Sequence, residues 1–152
     1  TLCFPWIVRL FPEAHYINWV RDPRDCILGA HLTDDLADFG IKYDRTNDER
    51  LRRAISWKYQ VEIVRATPKP KKWQTVRLED FVLKQDETLK KLESFLGLPL
   101  VKIPVKPEVV GRWKKDRGRH DFPFFSEDLR AYGYAEMTGG KASKKRRAAA
   151  RV

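Results

Sequence analysis

The stretch His15-Tyr16-Ile17-Asn18-Trp19-Val20-Arg21-Asp22-Pro23-Arg24-Asp25-Cys26-Ile27-Leu28-Gly29 decides how this chain is read. Tyr16 to Val20 is a short β-branched and aromatic run, the composition of a buried strand. Arg21 falls where that strand ends. Asp22 offers an N-cap carboxylate, Pro23 suits the first helical position, and Asp25 lies in the first turn, where the helix dipole favours an acid. The chain therefore leaves a sheet at Arg21 and enters a helix at once, and the pattern predicts that this helix reaches His31 to Leu36. A strand-end arginine beside a helix N-terminus is a place to hold a phosphate, because backbone N–H groups and a guanidinium converge there. An ordinary βα turn with an Asp–Arg capping arrangement fits the same residues. From these residues alone both readings stand.

Working outward, Leu2 to Phe11 is a short apolar segment, expected as a helix that enters the strand through the Phe11–Ala14 turn. Asp34 to Asp44 is acidic, contains Gly40 and reads as a loop. Asn47, with Asp48 and Glu49 in the first turn, starts a longer helix. Ala54, Trp57, Val61 and Val64 recur at spacings of three and four on its apolar face, and it should run to about Ala66 and stop before Pro68. Pro68 to Lys72 is a basic, proline-broken connector. Trp73 to Leu78 is the second strand, followed by Glu79 and Asp80. Asp86 is expected to cap the next helix, with Leu89, Leu92, Phe95 and Leu96 as its buried stripe, Lys90 and Lys91 in water, and Gly97 with Pro99 at its end. Past Val101 the pattern weakens. Lys114 to Asp121 is highly charged and expected to be mobile, and Ser126 to Tyr134 reads as a short amphipathic helix ending at Gly133.

Strands alternating with helices argue for an α/β layer with parallel strands, since parallel neighbours need crossover helices. Two strands are too few for a complete sheet, so the chain is expected to be part of a larger doubly wound domain. Its first residue is threonine, which suggests a fragment or a processed product.

The chain has 152 residues, one domain at most and enough to bury a core. No apolar run approaches the length of a membrane span, and no cationic leader precedes the first apolar patch, so no signal peptide is read and a cytoplasmic location is expected. Cys3 and Cys26 make no disulfide framework or metal-site spacing; both are expected to be reduced core residues. Three scattered histidines add no metal site. Of the formal net charge of +10, six belong to the acid-free tail 138–152, which composition predicts to be disordered, leaving about +4 on the body. That balance is compatible with an anionic nucleotide.

Strand, Arg21-Asp-Pro-Arg-Asp25 and helix resemble the 3′-phosphate-binding segment of the sulfotransferases that use 3′-phosphoadenosine 5′-phosphosulfate (PAPS). Val76-Arg-Leu-Glu-Asp-Phe81, followed by Phe95-Leu-Gly-Leu-Pro99, is similar to that family's "RYEDL … FLGLP" block. Gly111-Arg-Trp-Lys114 is similar to its late "GRWK" segment. The three stand in the family's order. The resemblance implies a P-loop NTPase-like sulfotransferase fold, seen here as a partial doubly wound parallel sheet flanked by helices. It implies that residues 1–137 are the C-terminal portion of the domain and 138–152 a basic tail. It also implies transfer of a sulfuryl group from PAPS to a hydroxyl or amine acceptor, a small molecule or a glycan, without a metal.

Carried over residue by residue, the resemblance puts Arg21 on the arginine that clamps the cofactor's 3′-phosphate. Relatives often add a serine eight residues later; here that position is Gly29, which lacks the hydroxyl donor. The tyrosine that precedes the Glu-Asp pair and contacts adenine is Leu78 here, which keeps an apolar contact without an aromatic face. Gly111 permits close backbone approach. Arg112 and Lys114 would complete the phosphate cradle, with Trp113 anchoring the loop or packing over the nucleotide. Arg24 and Asp25 are read as surface pairing and helix-terminus electrostatics, and Glu79 with Asp80 as structural acids of the strand–helix turn. None of His15, His31 and His120 is assigned as a base. In relatives the base and the glycine-containing 5′-phosphosulfate loop precede the 3′-phosphate segment, and nothing before Arg21 supplies such a loop. Thr138-Gly-Gly-Lys-Ala142 lacks its spacing and its preceding strand. The catalytic residues are therefore unknown, and this chain alone is expected to bind the 3′-phosphate half weakly and to catalyse nothing.

Two other classes are open to the same residues. A non-catalytic basic module would use the Lys/Arg tail on nucleic acid or acidic partners, but the body carries no recognisable nucleic-acid motif. A nucleotide kinase-like enzyme would need a Walker-type lysine and magnesium ligands, and neither is visible.

Overall fold

Tyr16–Val20 forms strand β1 and Trp73–Arg77 strand β2 in a computed structural model that describes residues 1–134. The basic tail assigned to 138–152 lies outside the described residues. The strands pair in parallel, in register from Tyr16 opposite Trp73 to Val20 opposite Arg77. Their C-terminal ends thus lie side by side, and Arg21 and Leu78 leave the sheet at the same edge. The connection is made by the 18-residue helix α3 (Glu49–Ala66), named here in chain order after α1 (Phe4–Leu10) and α2 (Pro23–Cys26). A parallel pair requires such a crossover.

Local chemistry explains most boundaries. The Tyr16 hydroxyl lies 3.1 and 2.8 Å from the Ile7 and Phe11 carbonyls and shares its proton with them, which ties β1 to the end of α1. The ring of Phe4 packs on those of Tyr16 and Trp73. Helix α3 starts one residue later than the sequence predicts: Asp48 is its cap, accepting the N–H groups of Arg50 and Leu51. It ends at Ala66, ahead of Pro68, as expected. After β2 the chain turns at once into α4 (Leu78–Leu83) and α5 (Gln85–Leu96). Asp86 does not cap α5. It sits within the first turn, because α4 runs almost directly into α5 and Lys84 occupies the cap position without a side-chain hydrogen bond. Gly97 ends α5 in the left-handed conformation at φ 73°, where a side chain would be strained.

Three other expectations change. The helix after Arg21 does not extend to His31–Leu36; α2 is one turn of four residues. Past Gly29 the polar groups prefer local turns: the Asp34 carboxylate takes the His31 N–H, and the Asp35 carboxylate takes the Ala37 N–H to open a 3-10 turn at Leu36–Phe39. Cys3 is exposed rather than part of the core, while Cys26 is half-buried; both are free. The charged stretch 114–121 is tied down. The Arg50 guanidinium binds the Asp116 carboxylate with two nitrogens, and Asp116 also accepts the Gly118 N–H.

The main core lies away from the sheet. Ile27, Ala54, Phe122, Phe125, Leu129 and Tyr134 form one buried cluster, with Leu51, Trp57, Phe124 and Tyr132 packed around it. It joins the end of α2, one face of α3 and helix α6 (Ser126–Ala131). Burying each large apolar side chain there is worth about 1.5–3 kcal/mol. The Asp128 side chain is fully buried at the start of α6 and pairs with Lys58 at 2.7 Å and Arg65 at 2.5 Å from α3. Although burial opposes its charge, Lys58 is held above the ordinary lysine range by its bonds to Asp128 and Glu62. The crossover helix is thus fixed both to the 27–34 turn and to α6.

Candidate functional site

Because both strands end at one edge, two turns meet there. The Glu79 carboxylate accepts the backbone N–H of Asp22 at 3.0 Å, joining the first turn to the second. Its other oxygen accepts the Tyr134 hydroxyl at 2.7 Å. Burial, with that bond to Glu79, pushes the Tyr134 phenol far above the usual tyrosine range. Glu79 is therefore a structural acid, as its position after a strand suggests.

Arg24 and Asp25 are not the surface pair that their sequence suggests. Arg24 is 1% exposed and Asp25 fully buried. Arg24 donates to both oxygens of Asp22, at 2.9 and 2.6 Å, and to the Tyr134 carbonyl at 3.3 Å. Its guanidinium lies 3.8 Å from the centre of the Trp113 ring, a cation–π contact. Asp25 accepts the backbone N–H of Gly111 at 2.6 Å and of Trp113 at 2.9 Å. These contacts pack the Gly111–Lys114 turn over α2, which places Trp113 as an anchor of the loop.

The candidate phosphate residues divide accordingly. Arg21 sits at the end of β1, half-buried, with one nitrogen donating to the Val109 carbonyl at 2.7 Å. Arg112 is exposed and donates to the Asp25 carbonyl at 3.3 Å. Lys114 is exposed, its amine 5.9 Å from the Trp113 ring centre. Arg21, Gly111, Arg112 and Lys114 are thus all assembled around α2. Gly29 and Leu78 are not joined to them: among the described residues, no hydrogen bond or ion pair links either to the Gly111–Lys114 turn. Gly29 has open space where a side chain would project. Leu78 opens α4, half-buried, beside Arg77, whose guanidinium lies 4.5 Å from the Tyr134 ring centre.

The backbone N–H cradle expected at the start of α2 is not offered. The Asp22 N–H goes to Glu79, that of Arg24 to the Asp22 side chain, and those of Asp25 and Cys26 to the Asp22 carbonyl. Asp25 consumes the two N–H groups that the second turn would present. The cations around these turns are the side chains of Arg21, Arg112 and Lys114.

Beside Arg21 a cavity of about 270 Å³ opens between β1, the 27–34 turn and α3. Asn18, Arg21, His31 and Gln60 line its polar side, Trp57 and Val64 part of its apolar side. His31 Nε2 lies 3.1 Å from the Cys26 carbonyl, within reach to donate to it. Of the three histidines it is the one that borders a cavity shared with Arg21. Cys26 also lines the cavity, and burial pushes its thiol up to about 12, more than the neighbouring Arg21 charge pulls it down.

Sequence reasoning missed the internal network of Asp22, Arg24, Asp25, Glu79 and Tyr134. A run of alternating charges at a βα turn was its only local signal, and that signal is shared by exposed turns. Among the described residues, no group of three or more His, Cys, Asp or Glu side chains could hold a metal ion, and no helix is long and apolar enough to cross a membrane.

The family model described as the sulfotransferase family matches residues 1–102 of this chain. The chain belongs to the sulfotransferase family. The match contains Arg21, Gly29 and Leu78 and ends before the Gly111–Lys114 turn. No curated protein and no solved structure shows significant similarity to it.

Proposed function

We propose that this chain is the 3′-phosphate-binding portion of a PAPS-dependent sulfotransferase of P-loop-like fold, with residues 1–137 as the later part of its domain. The observation that carries this reading is the packing of the Gly111–Lys114 turn against the Arg21 turn, two segments 86 to 88 residues apart in a chain of this family. Arg21 would donate to the 3′-phosphate with the guanidinium nitrogens that Val109 leaves free. Arg112 and Lys114 would add positive charge from the turn that packs on α2, and Leu78 would give the adenine an apolar contact. When bound, the cofactor supplies the activated sulfuryl group. The residues of this chain hold and orient it and neutralise the leaving bisphosphate, whose charge grows as the sulfuryl group departs to a hydroxyl or amine acceptor.

The test is calorimetric titration of the chain with adenosine 3′,5′-bisphosphate and, separately, with adenosine 5′-phosphate. The bisphosphate should bind more tightly. Arg21→Gln should remove that difference, since a hydrogen bond to a charged group is worth about 1.5–3 kcal/mol, or roughly one to two orders of magnitude in affinity. Equal binding of the two nucleotides by the unmodified chain would refute the reading; PAPS-dependent turnover by residues 1–152 alone would refute the expectation that they catalyse nothing by themselves.

A further inference from the structure

Asp25 is a fully buried carboxylate without a cationic partner: among the described residues it forms no ion pair, its neighbour Arg24 being committed to Asp22. Burying a charge in this way is costly unless hydrogen bonds replace the lost water. Here both oxygens are used, and both point to one place. Oδ2 takes the Gly111 N–H and Oδ1 the Trp113 N–H, alternate residues of a single turn. Gly111 stands at φ 72° and opens the 3-10 turn Arg112–Lys114, so the chain passes from left-handed to helical conformation there. That sequence of conformations directs successive N–H groups into a concave nest that binds anions. The nest is filled from within, by a side chain of the turn that carries Arg21. Bonds from N–H groups to a charged carboxylate are about twice as strong as neutral ones, and two of them fix orientation as well as distance. Arg112 closes the arrangement by donating to the carbonyl of Asp25 itself.

From this geometry we infer that Asp25 is the positioning residue of the 3′-phosphate site. It sets the Gly111–Lys114 turn relative to Arg21, so that Arg112 and Lys114 bear on the anion that Arg21 holds. This rests on the reading given under Proposed function. Asp25 touches no ligand; it acts through the residues that do. The negative charge buried beside the site favours a fixed arrangement of cations around it over the tightest possible hold on an anion.

The experiment compares the full chain with Asp25→Asn, which keeps the volume and one acceptor but presents an N–H₂ to one of the two amides. Each protein is titrated with adenosine 3′,5′-bisphosphate and with adenosine 5′-phosphate. Amide hydrogen exchange at Gly111 and Trp113 is followed by NMR. In Asp25→Asn the preference for the bisphosphate should fall by about tenfold, binding of the monophosphate should stay within about twofold, and both amides should exchange faster. A folded Asp25→Asn protein that keeps the preference, or weakens for both nucleotides in proportion, overturns the inference, because a purely structural role predicts one of those results. If Asp25→Asn does not fold, Gly111→Ala decides. It strains the same turn from the other side while Asp25 stays intact, and retention of the preference there overturns the inference. If the unmodified chain shows no preference, the phosphate reading itself has failed, and the inference falls with it.

Discussion

The Tyr134 hydroxyl donates to the Glu79 carboxylate at 2.7 Å, and Tyr134 is fully buried. The last described residue of the chain is thereby fixed to the first turn after β2, whose carboxylate in turn holds the backbone of Asp22. Tyr134→Phe keeps the ring and its contact with Arg77 but leaves one oxygen of a buried carboxylate without its donor. The expected cost is about 1–3 kcal/mol of stability, measured by urea unfolding. An unchanged midpoint would show that this bond does not hold the turns together.

Gly29 has open space where a side chain would project, and its φ lies outside the left-handed region. Gly29→Ser therefore costs little strain. If relatives use a serine here to reach the 3′-phosphate, the substitution should tighten adenosine 3′,5′-bisphosphate binding by about tenfold, within the range of a hydrogen bond to a charged oxygen. Adenosine 5′-phosphate, tested in parallel, should be unaffected.

Asp116 should govern part of the acid sensitivity. Its hydrogen bond to Arg50 lowers its carboxyl from the ordinary 3.8 to about 2. A carboxylate with a depressed pKa in the folded state stabilises at pH above its unfolded value and loses that contribution as pH falls through the folded one. Stability should therefore drop between about pH 4 and about pH 2. Asp116→Asn, followed by thermal unfolding across that window, should flatten the drop. A Cβ at Gly118 would come within 2.5 Å of the Arg50 guanidinium carbon, so Gly118→Ala should displace Arg50 and flatten the drop as well.

The two cysteines should separate cleanly in reactivity. Cys3 is exposed, whereas the Cys26 thiol is pushed up to about 12 by burial and offers almost no thiolate near neutral pH. Brief iodoacetamide treatment of the folded chain at about pH 8 should add one carbamidomethyl group, located at Cys3 by peptide mass mapping. Both cysteines should react in urea. Rapid labelling of Cys26 without denaturant would mean that the cavity beside Arg21 opens readily.

What the sequence disclosed depended on how far each feature's causes reach. Tyr16–Val20, the end of α3 at Ala66 and the end of α5 at Gly97 follow from neighbouring residues: a β-branched run, a proline two positions on, a glycine free to adopt positive φ. The parallel pairing followed from the helix between the strands. The fate of Arg24 and Asp25 did not follow, because burial of a charged side chain is decided by its partners, and theirs are Trp113, Gly111 and the Tyr134 carbonyl. Arg21, Arg112 and Lys114 are a set only through resemblance; in the fold Arg21 follows β1, and the other two lie on the Gly111–Lys114 turn that packs on α2. Among the described residues, no hydrogen bond or ion pair ties Gly29 or Leu78 to that turn. Tyr134 carried no local signal at all. The short α2 was overestimated because the start signals of a helix say nothing about its length.

The parallel register of β1 and β2 also has a temporal side. Asp22 and Glu79 are 57 positions apart, Arg21 and Val109 are 88, and Arg24 and the Tyr134 carbonyl are 110. During synthesis from the N-terminus, the Arg21 turn emerges first and has none of these partners. Until Tyr134 has left the ribosome, Asp22, Arg24 and Asp25 have no complete buried environment to enter and remain in water. Closing such long loops has an entropic cost before any contact repays it, which slows folding. The network around Arg24 is thus complete only once Tyr134 is in place, and by the same contacts it is lost when Tyr134 detaches.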